Sequence, residues 1–447
     1  MRVLLINPPR SPHNAILSHA PEHARRLIHK KLIGPPLGLL TIAAAVGPDH
    51  DVMVFDMKGE YDLHPDARSP EALTADMVNG FAPDIVGVSC IASEYPAAMR
   101  ILETAKSINS RILTVAGGLH ATLCPHHFSR PCVDAVCPGM AAHTFRSAAA
   151  AWERGEGLER IRGILYNSPR GLRRTPGKPL PCNAADEDFI MPDRSHLSPW
   201  LSTYRVAGAP GPVTYLYTSL GCPGRCTFCS IWPHFDGAFY QRRIDSIIDE
   251  LRTLDEYPVV RFADANTVVD TVFMHALFDR IWREGVRKEY VMDIRADAAA
   301  GNPDLIEKMA RAGLKVAICG FESFREDELR DYHKGAGPEA IARAIDIFHA
   351  NGVRVRGNYV VPPSYTDGDF DDLAAYAASH KVTHAGYTIL TPMPGTALYR
   401  AMRDDIVDHD LSRYNFFNCV CRTALPRETF YERVANLWTI KEGDAVI

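Results

Sequence analysis

The chain has 447 residues and a mass of 49.5 kDa, which at about 150 residues per domain excludes a single compact domain and points to two or three. Its 46% hydrophobic and 23% charged residues exclude bulk disorder and leave ample apolar surface for real cores. With 49 basic against 54 acidic side chains, a formal net charge of -5 and no long run of one sign, nucleic-acid binding through bulk charge is disfavoured.

Eleven cysteines are the unusual feature of the composition. Disulfides, a metal site and scattered core thiols are the three readings open to them. The N-terminal run Val3 to Ile6 is broken at once by Asn7-Pro8-Pro9, too short for a signal-peptide core. No apolar stretch reaches membrane-span length, because Ile33 to Val46 is punctuated by Gly34, Pro35, Pro36 and Gly38. The expected address is the cytoplasm, where disulfides are disfavoured.

In chain order, Arg2 to Ile6 reads as a strand buried on both faces, followed by an apolar helix over Gly38 to Val46 and a strand at Val52 to Phe55. Ile85 to Ser89 is the next strand, Tyr95 to Ile108 a helix, and Ile112 to Ala116 a strand that stops at Gly117-Gly118. Val133 to Val136 closes the series before Pro138-Gly139. This alternation predicts a doubly wound parallel sheet of the flavodoxin or Rossmann type over residues 1–150. Ligands of such sheets sit beyond the carboxyl ends of the strands, which marks Asn7 to Arg10, Asp56 to Gly59, Ser89 to Ser93 and Gly117 to Thr122 as a rim. The absence of GxGxxG after the first strand argues against a dinucleotide, and Gly117-Gly118 taken alone reads as a turn.

Residues 151–210 are rich in Arg, Gly, Pro and Ser and read as a linker, with only Gly163 to Tyr166 resembling a strand. Alternation resumes over 211–400. Strands are expected at Val213 to Thr218, Val259 to Phe262, Val291 to Ile294, Val316 to Cys319, Val355 to Val361 and His384 to Leu390. Amphipathic helices fall between them at Ile244 to Leu254, Val272 to Glu284, Pro303 to Ala312, Glu326 to Tyr332 and Pro338 to Asn351. Six such units make a partial (β/α)6 barrel of the TIM type or an open sheet. Residues 401–447 read as a small helical C-terminal extension.

Three cysteines are not scattered. Gly221-Cys222-Pro223-Gly224-Arg225-Cys226-Thr227-Phe228-Cys229-Ser230 holds them at C-x3-C-x2-C spacing immediately after an expected strand. A short loop with Pro and Gly can turn three thiolates toward one point. Three sulfurs leave one iron of a cubane open, an arrangement suited to catalysis rather than simple electron transfer. A Cys3His zinc site using His234 is the competing metal reading, and unrelated buried thiols are the bland one.

The loop carrying Cys222, Cys226 and Cys229 resembles the signature of the radical S-adenosylmethionine (SAM) enzymes. Flanking pieces sharpen the resemblance to the branch with an N-terminal cobalamin-binding domain: Asn7-Pro8-Pro9, Gly117-Gly118-Leu119-His120-Ala121-Thr122, Pro192-Asp193-Arg194, Arg261-Phe262-Ala263-Asp264-Ala265-Asn266, Gly320-Phe321-Glu322-Ser323 and Pro392-Met393-Pro394-Gly395-Thr396. The resemblance, which spans residues 1 to about 400, implies a [4Fe-4S] cluster on Cys222, Cys226 and Cys229. The resemblance further implies that SAM would chelate the unique iron and be split reductively to a 5'-deoxyadenosyl radical inside a mostly apolar barrel. It implies SAM contacts from Phe228, Asp264, Asn266 and Glu322. The alternatives are a helix cap for Asp264 and Asn266, and for Glu322 a salt bridge to Arg325 or Lys334. For Arg356 and Tyr359 the alternatives are facing the barrel interior or ordinary strand packing, and strand packing is the preferred reading.

In the first domain the resemblance assigns cobalamin contacts to Asn7, Ser89, Gly117 and Gly118. No Asp-x-His-x-x-Gly occurs in residues 1–150, so it implies cobalamin without a lower histidine ligand, and His120 as a helix-start or tail contact. The family's Gly-Glu-Gly-Glu appears here as Pro138-Gly139-Met140-Ala141-Ala142, and its Gly-Leu-Pro as Val361-Pro362-Pro363.

The implied activity is methylation of an unactivated carbon of a small-molecule, lipid or natural-product substrate, or alternatively oxidative cyclisation or ring rearrangement without net methylation. A non-catalytic cluster or cobalamin sensor is the reading from another class. A low-potential flavodoxin or ferredoxin is the expected electron donor. Trp200, Tyr204, Trp232, Phe235, Phe239 and Tyr240 read either as an aromatic mouth or as core. Cys419 and Cys421, on an expected surface segment, receive no role. Cys90, Cys124, Cys132, Cys137, Cys182 and Cys319 read as buried neutral thiols.

Overall fold

The computed structural model describes residues 1–28, 34–177, 189–206, 210–380, 382 and 384–440, with Arg26 and Leu27 described by backbone only. Cys182 lies outside the described residues. The chain folds into two compact units, one of residues 1–12, 35–204 and 233–236, the other of residues 13–34, 205–232 and 237–447.

The first unit is built on β1 (Arg2–Asn7), β2 (Asp51–Asp56), β3 (Ile85–Ser89), β4 (Leu113–Gly117) and β5 (Ala135–Cys137), parallel in the order β2-β1-β3-β4-β5. This is the flavodoxin-like order. Val3 to Ile6 are all fully buried, as a strand covered by helices on both faces requires. The helices carry legible end signals: Ser69 accepts the Ala72 N–H, with Pro70 in the first turn of Pro70–Phe81. In Tyr95–Ile108 the buried Ala98, Met99, Ile101, Leu102 and Ala105 recur at helical spacing on one face.

Part of the stretch read as a linker is folded into this unit. β6 (Leu165–Ser168) and β7 (Gly171–Arg174) form an antiparallel hairpin added to β5, with Ser168 opposite Gly171 across the turn Pro169-Arg170. Its polar composition misleads because β7 is an edge strand, where exposed Arg173 and Arg174 guard the open side. Residues 194–204 then lie against β2: Trp200 meets Phe55 edge-on and donates to Glu60 at 2.8 Å, and Tyr204 donates to Asp56 at 2.7 Å. Trp200 and Tyr204 are therefore core residues of this unit, not part of an aromatic mouth.

The second unit holds six parallel strands paired in chain order: β8 (Val213–Leu216), β11 (Val259–Phe262), β12 (Glu289–Asp293), β13 (Leu314–Glu322), β14 (Arg354–Val361) and β15 (His384–Ile389). This is the partial (β/α)6 barrel. Between β8 and β11, β9 (Ser219–Gly221) pairs antiparallel with β10 (Phe239–Gln241), the two bracketing the cysteine loop. Along β14 burial alternates strictly. Tyr359 belongs to the helix-facing set, stacked on Tyr387 at 5.5 Å and edge-on to Tyr376 of the helix Asp367–Ser379. Arg356 and Asn358 occupy the opposite face.

That interior face is more polar than expected. Arg261 binds Asp293 at 2.7 Å and lies over the Tyr215 ring at 5.5 Å. Phe262, its neighbour along the strand, turns the other way onto Phe278. The period-2 alternation that buries the apolar residues under the helices leaves these polar ones facing inward.

The C-terminal region is less helical than expected, with the short helix Ala397–Ala401, a largely irregular stretch carrying one isolated bridge between Ile406 and Cys421, and the helix Arg427–Leu437. Cys419 and Cys421 are 0% and 1% exposed, not on the surface. The Cys419 backbone donates to Tyr431 at 2.8 Å and accepts from Arg427 at 2.6 Å, which folds the segment under the last helix. Residues 13–28 join the same region: His13 accepts from Asn415 at 2.7 Å, and His19 stacks on Tyr431 at 5.0 Å. No helix among the described residues is long and apolar enough to cross a membrane.

Candidate cofactor sites

The cysteine loop leaves β9 through Gly221 at φ +82°, a left-handed conformation that glycine adopts without strain. Cys222, Cys226 and Cys229 are all half-buried. Their loop is held by groups far away in sequence: Thr227 N–H donates to the Tyr332 carbonyl at 3.1 Å, and the Thr227 carbonyl accepts from Leu398 at 2.9 Å. The Trp232 indole donates to the Cys226 carbonyl at 2.9 Å. Phe228 packs edge-on against Tyr332 at 5.5 Å.

Burial pushes the Cys226 and Cys229 thiols up, while the Lys334 and Arg295 cations draw Cys226 back toward its thiolate. Thiolates on one tetrahedral zinc stand about 3.8 Å apart, given Zn–S near 2.3 Å. Among the described residues only His120, Cys124 and His127 bring three ligand atoms within 4.8 Å of one another, so the three cysteine sulfurs are not gathered as a preformed single-ion site.

Glu322 ends β13 at φ +65° and binds Lys334 at 2.8 Å, the salt bridge weighed above; Arg325 pairs instead with Asp369. Burial works against the Lys334 charge, yet Glu322 holds its pKa above the ordinary value. A Cβ on Gly320 would lie within clashing distance of the Glu322 carboxylate, so glycine there makes room for the pair. His333, at φ +55°, is the second non-glycine left-handed residue beside the cysteine loop, its carbonyl 3.8 Å from the Cys226 sulfur. Two strained residues at one place mark a site over-determined by its surroundings.

Asp264 and Asn266 separate. Asp264 accepts from Thr218 N and Ser219 N at 2.8 Å each and from the Thr218 hydroxyl at 2.6 Å, fixing the turn from β8 into β9. Desolvation raises its pKa to about 6 against these hydrogen bonds. Asn266 is 7% exposed, and its Oδ1 has no hydrogen-bond partner among the described residues. A buried acceptor left over at the barrel's carboxyl end is what a bound nucleoside or amino group would satisfy. On the interior face Arg356 has no hydrogen-bond or ion-pair partner among the described residues; burial first, then Arg261, lowers its pKa. The sequence offered this interior orientation of Arg356 as the second choice, for which the period-2 pattern of β14 was the signal, and gave no sign of the Arg261–Asp293 pair.

In the first unit, the ladder sets Asp56, Asn7, Ser89, Gly117 and Cys137 in one row across the sheet's carboxyl edge, with Asn7 opposite Asp56 and Ser89 opposite Gly117. The row includes β1 and β3, the topological switch point where ligands of this fold bind. Asn7 donates to Asp56 at 2.6 Å, so its amide braces the row. Gly118, at φ +92°, has no room for a Cβ, which would stand 2.7 Å from both the Cys90 nitrogen and the Ser89 hydroxyl. Its glycine answers a chain crossing as well as any ligand. His120 is buried in the helix Leu119–Leu123 rather than presented at the rim.

The model of the B12 binding domain matches residues 27–149, and that of the Radical SAM superfamily matches residues 216–377. The chain is a radical SAM enzyme with a B12-binding domain. An uncharacterized methyltransferase of Pyrococcus horikoshii is 29% identical over 82% of this enzyme and 78% of its own length. The anaerobic magnesium-protoporphyrin IX monomethyl ester cyclase of Rubrivivax gelatinosus is 25% identical over 80% and 66%. In fold the enzyme is similar to the radical SAM methyltransferase TsrM of Kitasatospora setae, solved with cobalamin and a [4Fe-4S] cluster, at TM-score 0.71 and 17% identity, covering 99% of this chain and 91% of that one. The two domain types define the cofactors of this radical SAM enzyme: cobalamin for the first, SAM with its [4Fe-4S] cluster for the second.

Proposed function

We propose that this enzyme methylates an unactivated carbon of a small-molecule substrate, a lipid or natural-product intermediate being the class expected. The observation that carries the reading is the presence in one chain of an open three-cysteine loop and a B12-binding switch-point rim. When bound, the cluster with SAM supplies hydrogen abstraction and cobalamin a transferable methyl group. Cys222, Cys226 and Cys229 hold the cluster, and Phe228 covers the adenine. The unpartnered Asn266 Oδ1 and the carboxylate of Glu322, held by Lys334, bind the nucleoside and amino groups of SAM. Asp264 acts one step back, by holding Thr218 and Ser219 where the cysteine loop begins. Ser89, Gly117 and Gly118 receive the cobalamin tail, with Asn7 bracing them. The setting is the cytosol, where a low-potential flavodoxin or ferredoxin supplies the electron.

Anaerobic incubation of the reconstituted enzyme with reductant, metabolite extract and methyl-labelled SAM tests this. A labelled methylated product together with 5'-deoxyadenosine is expected. The Rubrivivax relative favours oxidative cyclisation as the second reading, which a product lighter by two hydrogens and free of label would establish. No 5'-deoxyadenosine under any condition would leave the sensor reading.

A further inference from the structure

His120, Cys124 and His127 come together just beyond the candidate cobalamin rim, and none of the chemistry above uses them. The helix Leu119–Leu123 and the 3-10 turn Pro125–Phe128 meet at Cys124. Cys124 N–H donates to the His120 carbonyl at 2.8 Å, and His127 N–H to the Cys124 carbonyl at 3.1 Å. These two turns stack the side chains on one side, as i, i+4 and i+3 positions do. A nitrogen of each imidazole and the Cys124 sulfur all lie within 4.8 Å of one another, and His120 Nε2 is 2.9 Å from His127 Nδ1. His120 and Cys124 are 2% and 4% exposed. Tyr95 and Phe128 close over His120 at 5.3 and 5.8 Å, which leaves the donors in an apolar shell. His127 is half-buried and His126 exposed, with its ring 4.4 Å from that of His127, so the trio has a solvent-side entrance and a third imidazole or water within reach.

We propose that His120, Cys124 and His127 bind a zinc-class divalent cation that fixes the loop following Gly117-Gly118. Two imidazoles and one thiolate are a borderline-soft set of nitrogen and sulfur donors, suited to tetrahedral zinc with a fourth position left to water or His126. The helix that carries the site is tied to the ends of two strands: Thr122 donates to the Gly118 carbonyl at 2.9 Å and accepts from Gly139 N–H at 2.8 Å. Locking it with a metal stiffens the rim from behind. Cys124, read from sequence as a neutral core thiol, becomes a ligand, with release of its proton on binding. The proposal does not depend on the assignment of activity.

The test uses the full chain carrying Cys222→Ala, Cys226→Ala and Cys229→Ala, so that no other cysteine loop competes. Titrated with zinc alone, this protein is expected to bind one equivalent, and Co2+ in its place to give a thiolate-to-cobalt absorption band. Adding Cys124→Ser and His127→Gln is expected to lower zinc affinity by about a hundredfold or more and to abolish the band, with an unchanged circular-dichroism spectrum. No zinc uptake, or no cobalt–thiolate band, in the folded parent overturns the proposal without any substitution at the site. Undiminished zinc binding in the folded double substitution overturns it too.

Discussion

Asp264 illustrates what one side chain decides. Its position at the carboxyl end of a barrel strand made it a candidate ligand or helix cap, yet both oxygens are engaged by Thr218 and Ser219, 46 and 45 residues back. Asn266, two positions on, keeps a buried acceptor with no partner among the described residues. No local pattern distinguishes the two, because the partners arrive from another strand. The pKa of about 6 sets a pH prediction. The folded value lies above the ordinary 3.8, so the native state binds the extra proton. The associated stability is fully present below about pH 4 and is lost as pH rises through 6, amounting to about 3 kcal/mol. Asp264→Asn, which keeps an acceptor for the two N–H groups, is expected to remove this slope, so that urea unfolding from pH 4 to 7 shows wild type losing stability relative to the variant. Parallel curves would refute the assignment.

At the scale of elements, periodicity was sufficient for nearly all of the two α/β layers. The expected helix Tyr95 to Ile108 and strand Ile85 to Ser89 coincide with the observed ones, and all six barrel strands are present. Those segments announce themselves by buried repeats of 3.6 or 2 residues. Of the hairpin β6–β7 only the start of β6 was legible, within Gly163 to Tyr166, while the edge strand β7 and the segment 194–204 were not, since a half-exposed edge and a 3-10 stretch bury only isolated residues such as Leu197 and Trp200. Gly118 shows how an element's end is constrained. At φ +92° and ψ -174° it occupies backbone space open to glycine alone, and a Cβ would collide with Ser89 and Cys90. Gly118→Ala is expected to cost about 2–4 kcal/mol, read as a lower urea midpoint, and to weaken cobalamin retention because β3 and β4 must part.

For the whole molecule, the residues proposed to hold the cofactors divide between two units, with Asn7, Ser89, Gly117 and Gly118 in the first and Cys222, Cys226, Cys229, Asn266 and Glu322 in the second. The variant Cys222→Ala, Cys226→Ala, Cys229→Ala is therefore expected to lose its iron and all 5'-deoxyadenosine formation, while keeping the cobalamin absorption spectrum. Loss of cobalamin in the folded variant would show that the units do not hold their cofactors independently. The chain path adds what no segment reveals: after β1 it leaves the first unit, and residues 13–28 belong to the second, where His13, Ile16 and His19 meet Asn418, Phe417 and Tyr431.

By itself the sequence determined the succession of strands and helices, the cysteine loop and the glycine turn, because each is written in neighbours within a few residues of one another. The tertiary structure decided which polar groups are engaged and which are left for ligands: Glu322 with Lys334 and Asp264 with Thr218, the Asn266 Oδ1 and the Arg356 guanidinium unengaged among the described residues, and Cys419 and Cys421 under the last helix. Those outcomes follow from chain crossings between distant segments, where burial raises the stake of every unpaired polar atom and no local repeat records the partner.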